Sequence, residues 1–261
     1  MTAGVESAVR HRARLATAGL APHDRAPLFE VAGPAERPPT VTAVIPTLNE
    51  ASNIAHVIGR IPEWVEEIIV IDGDSTDGTC EMAKAARDDV TVMQQDGHGK
   101  GDALACGFAA AHGDIIVMLD ADGSTDPAEI PRFVAALRTG ADFAKGTRFA
   151  MGGGSADITR LRRIGNRALG GLVNRLWRVQ YTDLCYGYNA FWRSCLPELH
   201  IDCAGFEVET LLNIKAARRQ LRIVEVPSYE ANRMSGASNL SARRDGVRIL
   251  RTIIAERIRP D

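Results

Sequence analysis

From residue 41 onward, short apolar runs alternate with polar stretches whose spacing is helical. The apolar, β-branched runs occupy residues 41–46, 68–71, 90–93 and 115–119. The helical stretches between them include residues 76–87 and 100–112. Strands that alternate with helices predict βαβ units and a mainly parallel sheet, and continuous apolar strands predict helices on both faces of it. The pattern therefore predicts an α/β domain with a mostly parallel sheet flanked by helices.

The second half of the chain has a less regular pattern. Residues 164–177 and 206–218 have helical spacing, and residues 221–226 have the pattern of a strand that ends at Pro227. Residues 152–155 (Gly-Gly-Gly-Ser) predict a flexible loop. We therefore expect the regular βαβ order to end near residue 150 and a mixed arrangement to follow.

The two ends of the chain differ from the domain between them. Residues 1–38 combine arginines and prolines without a sustained period, which is typical of a flexible tail. Residues 39–238 are the predicted domain, and residues 239–261 are a predicted amphipathic helix. One face of that helix carries Val247, Leu250, Ile254 and Ile258, and another carries Arg244, Arg248 and Arg251. Such a helix can lie on an anionic membrane as a peripheral contact or pack its apolar face on its own domain; both remain open.

Composition narrows the class of protein. Apolar residues make up 45% and charged residues 25% of the 261 residues, which is ordinary for a globular protein, and the net charge of −2 argues against nucleic-acid binding. No apolar run approaches the roughly 20 residues that span a bilayer, and the N-terminus lacks the apolar core of a secretory signal. The five cysteines show no metal-ligand spacing, which indicates reduced thiols in a cytoplasmic protein.

Acidic residues follow the predicted strands at the point where each strand ends. Glu50 follows the first strand, Asp72 ends the second, and Asp120 and Asp122 end the fourth. Ligands of open α/β sheets bind beyond the carboxyl ends of the strands. The sequence therefore predicts an acidic ligand site at one edge of the sheet.

The pair Asp120 and Asp122 is the strongest chemical signal. Two carboxylates one residue apart can supply hard oxygen ligands to Mg²⁺ or Mn²⁺, with phosphate oxygens completing the octahedron. Such an ion neutralises the charge that builds on a departing diphosphate. A solvated turn or a helix cap is the structural alternative, and the position after the fourth strand favours the metal.

Three segments resemble the nucleotide-binding half of family 2 glycosyltransferases. They are residues 45–50 (Ile-Pro-Thr-Leu-Asn-Glu), residues 69–79 and residues 118–123 (Met-Leu-Asp-Ala-Asp-Gly), and the resemblance extends over about residues 41–238. It implies a single Rossmann-like GT-A domain and inverting transfer from a UDP- or GDP-sugar. The residues that it places at the donor are Pro46, Thr47, Asn49, Glu50, Asp72, Lys100, Asp120, Ala121 and Asp122, with Asp120 and Asp122 on the metal.

Two details of the donor half leave alternatives open. The family usually has Asp-Asp-Gly-Ser where this chain has Asp72-Gly73-Asp74-Ser75, so the resemblance carries over to Asp72 and puts Asp74 in doubt. Lys100 lies between two glycines before a helix, where glycine permits close backbone approach and a helix N-terminus attracts phosphate. A loop with a solvated lysine is the alternative.

The acceptor half is similar to that of dolichol- and undecaprenyl-phosphate sugar synthases. The resemblance rests on residues 144–149, on the arginines after the glycine loop, and on residues 181–189 (Tyr-Thr-Asp-Leu-Cys-Tyr-Gly-Tyr-Asn). It implies a polyprenyl-phosphate acceptor. A phosphate needs cations to hold it, and arginine forks suit phosphate, so we expect Arg148 and Arg162 or Arg163 to bind it. A solvated helix face is the alternative for this cluster.

A soluble acceptor with a hydroxyl group, on a small metabolite or a protein, is the competing interpretation. It needs a general base within reach of the hydroxyl proton, and Glu207 and Glu209 are the candidates. With either acceptor, Arg233 in residues 232–239 is expected to stabilise the leaving diphosphate and help exclude water. The alternative is that this segment is only a linker.

Two other classes of protein fit the sequence less well. A sugar nucleotidyltransferase would need a glycine-rich loop after the first strand, and residues 46–50 (Pro-Thr-Leu-Asn-Glu) do not form one. A non-catalytic sensor would not need the acid pair Asp120 and Asp122, which this chain has.

Overall fold

A seven-stranded sheet forms the centre of the structure, which is a computed structural model that describes residues 37–236 and 241–259. The strands are β1 (Val41–Thr47), β2 (Glu67–Asp72), β3 (Val90–Gln94), β4 (Ile115–Met118), β5 (Phe143–Thr147), β6 (Gly154–Ser155), β7 (Asn189–Trp192), β8 (Ile223–Pro227) and β9 (Tyr229–Glu230). The order in the sheet is β3-β2-β1-β4-β7-β5-β8, and β6 pairs separately with β9. The predicted α/β fold with a mostly parallel sheet is confirmed.

Seven α-helices accompany the strands in the described part of the chain. They are α1 (Ile54–Gly59), α2 (Thr79–Ala86), α3 (Lys100–Ala110), α4 (Ile130–Arg138), α5 (Arg160–Trp177), α6 (Val208–Arg218) and α7 (Ala242–Ile258). Short 3₁₀ turns at Pro127–Glu129 and Arg193–Cys195 complete the regular structure. None of the described helices is long and apolar enough to cross a bilayer. The predicted tail at residues 1–38 lies almost wholly outside the described residues.

Strand β7 is the one antiparallel member of the central sheet. It lies between β4 and β5 and runs antiparallel to both, so β5 and β8 point the same way as the first four strands. Residues 181–189 were assigned only to an acceptor motif, and the strand that begins at Asn189 was not predicted. Its insertion brings the carboxyl ends of β1, β4, β5 and β8 to one edge.

Two hydrophobic clusters among the described residues bear on the position of the site. Residues of β1, β2 and β4 are almost fully buried, as expected for strands covered on both faces, and the rings of Phe133 and Tyr188 stack there at 4.3 Å. A second cluster joins α5, α6 and α7 through Val173, Ile214 and Ile253. This cluster fixes the two long helices beside the carboxyl edge of the sheet.

The structure corrects the sequence expectation for the glycine loop and decides how the last helix packs. The predicted flexible loop at residues 152–155 is partly a strand, because Gly154 and Ser155 pair with β9. The predicted apolar face of the last helix does not pack on the domain. Ile249 and Ile253 make that contact, while Val247, Leu250, Ile254 and Ile258 are exposed.

Candidate active site

A cavity of about 780 Å³ lies at the carboxyl ends of the parallel strands. The segments after β1, β4 and β5 line it, together with the first turns of α3, α5, α6 and α7. The predicted site residues in its wall are Pro46, Thr47, Glu50, Lys100, Asp120, Ala121, Asp122, Arg148, Arg162, Glu209 and Arg233. The predicted residues that do not line it are Asn49, Asp72, Arg163 and Glu207.

Lys100 joins Asp120 to Glu209. Its Nζ lies 2.5 Å from Asp120 Oδ1 and 2.6 Å from Glu209 Oε1. Burial alone would lower the pKa of Lys100, but the two carboxylates raise it above its ordinary value. Burial raises the pKa of Glu209, and Lys100 opposes that shift. Gly187 makes this packing possible, because a Cβ there would lie 3.0 Å from Nζ.

The glycines beside Lys100 position it through the backbone. Gly101 donates its N–H to the carbonyl of Ala204 at 2.8 Å, and a Cβ on Gly101 would lie 2.0 Å from the carbonyl oxygen of Cys203. Gly99 has φ of +89°, which disfavours other residues. These glycines therefore allow the backbone of Cys203 and Ala204 to approach the start of α3 closely.

Arg233 bridges Glu50 and Asp122. Its two terminal nitrogens lie 2.7 Å from Glu50 Oε1 and 3.0 Å from Asp122 Oδ2. Residues 231–236 hold this position, since the N–H of Met234 donates to the carbonyl of Asp122 at 3.2 Å. The remainder of the predicted loop, residues 237–239, lies outside the described residues. The arginine predicted to meet the diphosphate therefore lies directly on the acid pair.

Asp72, which is buried, and Asn49, which is exposed, do not line the cavity but support the turn after β2, whose Gly73 forms part of the cavity floor. Asp72 is fully buried and accepts the N–H of Ser75 at 2.8 Å. Burial alone would raise the pKa of its carboxyl, but hydrogen bonds from Ser75 and Gln94 lower it. Asn49 accepts the N–H of Thr76 at 2.9 Å. Both side chains therefore brace the turn after β2.

The shifted acid at position 74 is separated from the cavity. Asp74 is exposed and has φ of +66°, whereas Gly73 lines the cavity. A Cβ on Gly73 would lie 3.3 Å from the carbonyl oxygen of Thr47. A larger residue at position 73 would therefore crowd the backbone of β1 beside the cavity. The carboxylate of Asp74 does not reach the cavity.

Arg148 is bound by two acids on the opposite wall. Its Nε lies 2.7 Å from Asp183 Oδ2, and a terminal nitrogen lies 3.0 Å from Glu230 Oε1. The guanidinium also lies 4.8 Å from the centre of the Tyr186 ring. A phosphate in this part of the cavity would compete with two carboxylates for Arg148.

Glu230 was missed by the sequence reasoning, although the signal was present. It lies three residues after the end of β8, as Glu50 lies three residues after the end of β1. The rule that acids after parallel strands meet at one edge would have found it. The sequence pattern does not predict β5 or β7, and without these strands the place of β8 in the sheet cannot be derived from the sequence.

Arg162 and Arg163, the two candidate phosphate-binding arginines of α5, lie in different environments. Arg162 lines the cavity, and a terminal nitrogen lies 3.3 Å from Asp157 Oδ2. Arg163 lies outside the wall, with its guanidinium 5.5 Å from the Phe149 ring. Of the two arginines left open by the sequence, only Arg162 faces the cavity.

The side of the cavity between α5 and α7 combines apolar side chains with the polar or charged side chains Asp157, Arg162, Asn166 and Asp245. Its lining includes Ile158, Leu161, Leu169 and Ile249. Gly165 and Gly246 also line it, and a Cβ on either would meet no other atom within 4 Å. These helices therefore leave an open, partly apolar extension beside Arg162.

The two candidate general bases, Glu207 and Glu209, also differ in whether they line the cavity. Glu209 lines the cavity, whereas Glu207 accepts the N–H of Gly205 at 3.3 Å and keeps its other oxygen buried. Only Glu209 is placed to meet a substrate.

Comparison with known proteins places the chain in a family. Residues 42–199 match the profile described as "Glycosyl transferase family 2". The glycosyltransferase AglJ of Haloferax volcanii is 35% identical over 80% of this chain and 69% of its own length. The chain belongs to glycosyl transferase family 2.

Two further relatives of this glycosyltransferase have names that specify a lipid acceptor. An undecaprenyl-phosphate mannosyltransferase of Micrococcus luteus is 34% identical over 77% of this chain and 87% of its own length. A polyprenol monophosphomannose synthase of Mycolicibacterium smegmatis is 32% identical over 80% of this chain and 86% of its own length.

Solved structures confirm the GT-A fold of this glycosyltransferase. Glucosyl-3-phosphoglycerate synthase of Mycobacterium tuberculosis in complex with Mg²⁺ and UDP matches with a TM-score of 0.69 and 26% identity. The match covers 85% of this chain and 81% of that one. The same enzyme with Mn²⁺, UDP and phosphoglyceric acid matches with a TM-score of 0.68, 26% identity, and coverage of 85% and 80%. Those neighbours support divalent metal use in the family.

The acid pair of this glycosyltransferase fits an ion shared with the donor. Among the described residues, no three His, Cys, Asp or Glu side chains are grouped so that they could hold a metal by themselves. Mg²⁺ is commonly bound through one or two carboxylates plus substrate phosphates, which Asp120 and Asp122 can provide. Lys100 pairs with Asp120 and Glu209, and Arg233 pairs with Asp122 and Glu50. These two cations therefore offset two of the four carboxylate charges, and a divalent cation would offset the other two.

Proposed function

We propose that this glycosyltransferase moves a sugar, with inversion, from a UDP- or GDP-sugar to a polyprenyl-phosphate acceptor. The observation that carries the proposal is one continuous cavity with two chemically different ends. One end holds Glu50, Asp120 and Asp122, and the other holds Arg162 beside the apolar side chains Leu161, Leu169 and Ile249 and the polar side chains Asp157, Asn166 and Asp245. A diphosphate with its metal suits the first end, and a phosphate on an apolar chain suits the second.

The donor end acts by charge. Asp120 and Asp122 would hold Mg²⁺ or Mn²⁺ against the diphosphate, and the ion would supply charge neutralisation for the leaving group. Lys100 and Arg233, already 2.5 Å and 3.0 Å from these acids, are proposed to turn to the diphosphate oxygens. Pro46, Thr47, Glu50 and the part of the floor supported by Asn49 and Asp72 would hold the nucleoside.

The acceptor end is proposed to act by holding the acceptor phosphate in the orientation that the transfer requires. A phosphate acceptor is already an anion and needs no strong base, so its main requirement is a cation that holds it in line with the donor's anomeric carbon. Arg162 is proposed for that contact. Arg148, fixed by Asp183 and Glu230, is proposed to shape the wall, because its charge is already offset by these two carboxylates.

A soluble acceptor is the second candidate, and one observation favours it. The structural neighbour from Mycobacterium tuberculosis has been solved with phosphoglyceric acid, and the cavity contains an acid, Glu209, whose pKa is raised by burial. A carboxylate of raised pKa is a better general base for a hydroxyl. Glu209 would have to leave Lys100 to take that role.

A transfer assay with labelled donors tests the proposal. UDP- and GDP-sugars would be offered with Mg²⁺ or Mn²⁺ and either undecaprenyl phosphate or phosphoglyceric acid. The proposal expects label in the organic phase with the lipid phosphate and little in the aqueous product. Transfer to phosphoglyceric acid alone supports the second candidate, and no transfer to either contradicts the proposed acceptor classes.

A paired substitution tests the acid pair itself. Asp122→Asn is expected to lower kcat on the order of a hundredfold, because the leaving diphosphate loses a metal-holding carboxylate. Asp74→Asn removes an acid from the neighbouring turn outside the cavity, and asparagine tolerates its φ of +66°. It should keep full activity. Equal turnover in the two variants would remove Asp122 from the site.

A further inference from the structure

Helix α7 carries an apolar stripe that the fold does not use. Val247, Leu250, Ile254 and Ile258 recur at helical spacing and are 50%, 39%, 53% and 77% exposed. The opposite side of the helix already packs on α5 and α6 through Ile249 and Ile253. Single exposed apolar residues are common, but a full stripe on a helix that is packed on its other side indicates a surface for a partner.

The exposed charged side chains on α5 and α7 themselves are all arginines. Helices α5 and α7 contain ten arginines and two acids, Asp245 and Glu256. Both acids are buried, at 2% and 5% exposure. The exposed arginines are Arg160, Arg163, Arg167, Arg175, Arg244, Arg248, Arg251 and Arg257. A partner of this surface therefore has to be both apolar and negatively charged.

The surface continues to the mouth of the cavity. Leu161 and Gly246, in the first turns of α5 and α7, line the cavity, and Leu161 is 62% exposed. Ile164, one turn further along α5, is 68% exposed. The exposed stripe of α7 begins directly after Gly246, so the side of the cavity between α5 and α7 and the apolar surface meet there.

We propose that this face of α7, with the start of α5, docks on an anionic lipid bilayer. Apolar side chains would enter the boundary between headgroups and acyl chains, and the arginines would remain at the headgroups, where long cationic side chains bind anionic lipid. Docking in this orientation would set the cavity mouth at the bilayer surface. The docking claim does not depend on which sugar or acceptor the enzyme uses.

Sedimentation of the full chain with vesicles tests the proposal. Vesicles of equal parts phosphatidylglycerol and phosphatidylcholine should bind the protein, pure phosphatidylcholine should bind it far less, and salt should weaken the binding. The double variant Ile254→Asp, Ile258→Asp should lose at least about tenfold in vesicle affinity, since it adds two negative charges and removes two apolar anchors.

A matched variant controls for the added charge. Trp64 and Met82 are 46% and 43% exposed and lie away from α5 and α7. Trp64→Asp, Met82→Asp adds the same charge and should bind vesicles as the wild type does. A donor-induced rise in melting temperature, measured on each variant, shows that it is folded independently of vesicles.

Three results would overturn the proposal. The wild type could stay in the supernatant with both kinds of vesicle, or the two double variants could lose the same affinity. The wild type could also form a dimer in light scattering that only the Ile254→Asp, Ile258→Asp variant loses, which would assign the face to a second copy of the chain. Vesicle binding is measured without substrate, so it can fail while sugar transfer succeeds, and the reverse.

Discussion

Arg148 and Asp183 form a buried ion pair in the wall of the cavity. Their side chains are 9% and 0% exposed, and two hydrogen bonds of 2.7 Å and 3.0 Å join them. The full burial of Asp183 and its attachment to Arg148 identify a structural role at this position.

The pair predicts how stability depends on pH. Burial alone would raise the pKa of Asp183, but the hydrogen bonds and charge of Arg148 lower it below its ordinary value. A lowered pKa in the folded state means that the stabilisation is complete above the unfolded pKa of about 4 and is lost as pH falls through the folded pKa. Asp183→Asn should therefore lower the free energy of unfolding at neutral pH by roughly 3–5 kcal/mol and flatten its decline toward acid.

Urea unfolding at a series of pH values measures both effects. Asp89→Asn is the control, because Asp89 pairs with Arg87 at the surface with 45% of its side chain exposed. An exposed pair should contribute about 1 kcal/mol or less. If Asp183→Asn costs no more than Asp89→Asn, the pair is not a structural element of the wall.

At the scale of elements, α5 both packs against neighbouring helices and lines the cavity. Its one side packs on α6 and α7 through Val173, and its first half lines the cavity through Arg162, Gly165 and Leu169. A side chain at position 165 would point into open space. The bare backbone at this glycine therefore sets the width of the partly apolar extension.

Filling that space should block a lipid acceptor. Gly165→Leu is expected to raise KM for the lipid phosphate by at least about tenfold, the effect of losing roughly 1.4 kcal/mol of binding. The donor-induced melting shift should not change. Kinetics at varied acceptor concentration measure the effect.

Gly171→Leu on the same helix is the matched control. Gly171 is exposed, does not line the cavity and has no atom within 4 Å of an added Cβ. Both changes replace a helical glycine with a better helix former, so neither should unfold the protein. Equal KM values in the two variants would show that the acceptor does not pass between α5 and α7.

At the scale of the whole molecule, the acidic end of the cavity connects distant parts of the chain through ion pairs. Arg233 connects Glu50 after β1 with Asp122 after β4, and Lys100 on α3 connects Asp120 with Glu209 on α6. A donor with its metal would exchange these contacts for stronger ones to diphosphate. Binding should therefore stabilise the entire domain.

Thermal unfolding with nucleotide sugars tests this coupling. At 100 times its Kd, a donor adds about 2.7 kcal/mol of stability, which corresponds to a rise in Tm of roughly 5–10 °C for a domain of this size. The rise should require Mg²⁺ or Mn²⁺, vanish with a chelator, and be strongly reduced in Asp122→Asn. A donor shift of full size in the presence of a chelator would contradict the metal assignment.

The sequence alone determined much of the first half of the fold. Apolar runs separated by helical stretches specify βαβ units because their periods are local properties of the chain. The parallel arrangement then forces the acids that follow the strands to one edge, so Glu50, Asp120 and Asp122 could be placed together before any coordinates existed. The family resemblance rests on the same residues.

Only the tertiary structure decided how the second half completes the site. The place of β7 between β4 and β5, the pairing of Arg148 with Asp183 and Glu230, and the face on which α7 packs all depend on contacts between residues far apart in sequence. Periodicity gives a helix two candidate faces when both carry apolar residues, as α7 does. Which one is buried depends on the shape and volume of the neighbouring helices, and that information is absent from the local pattern.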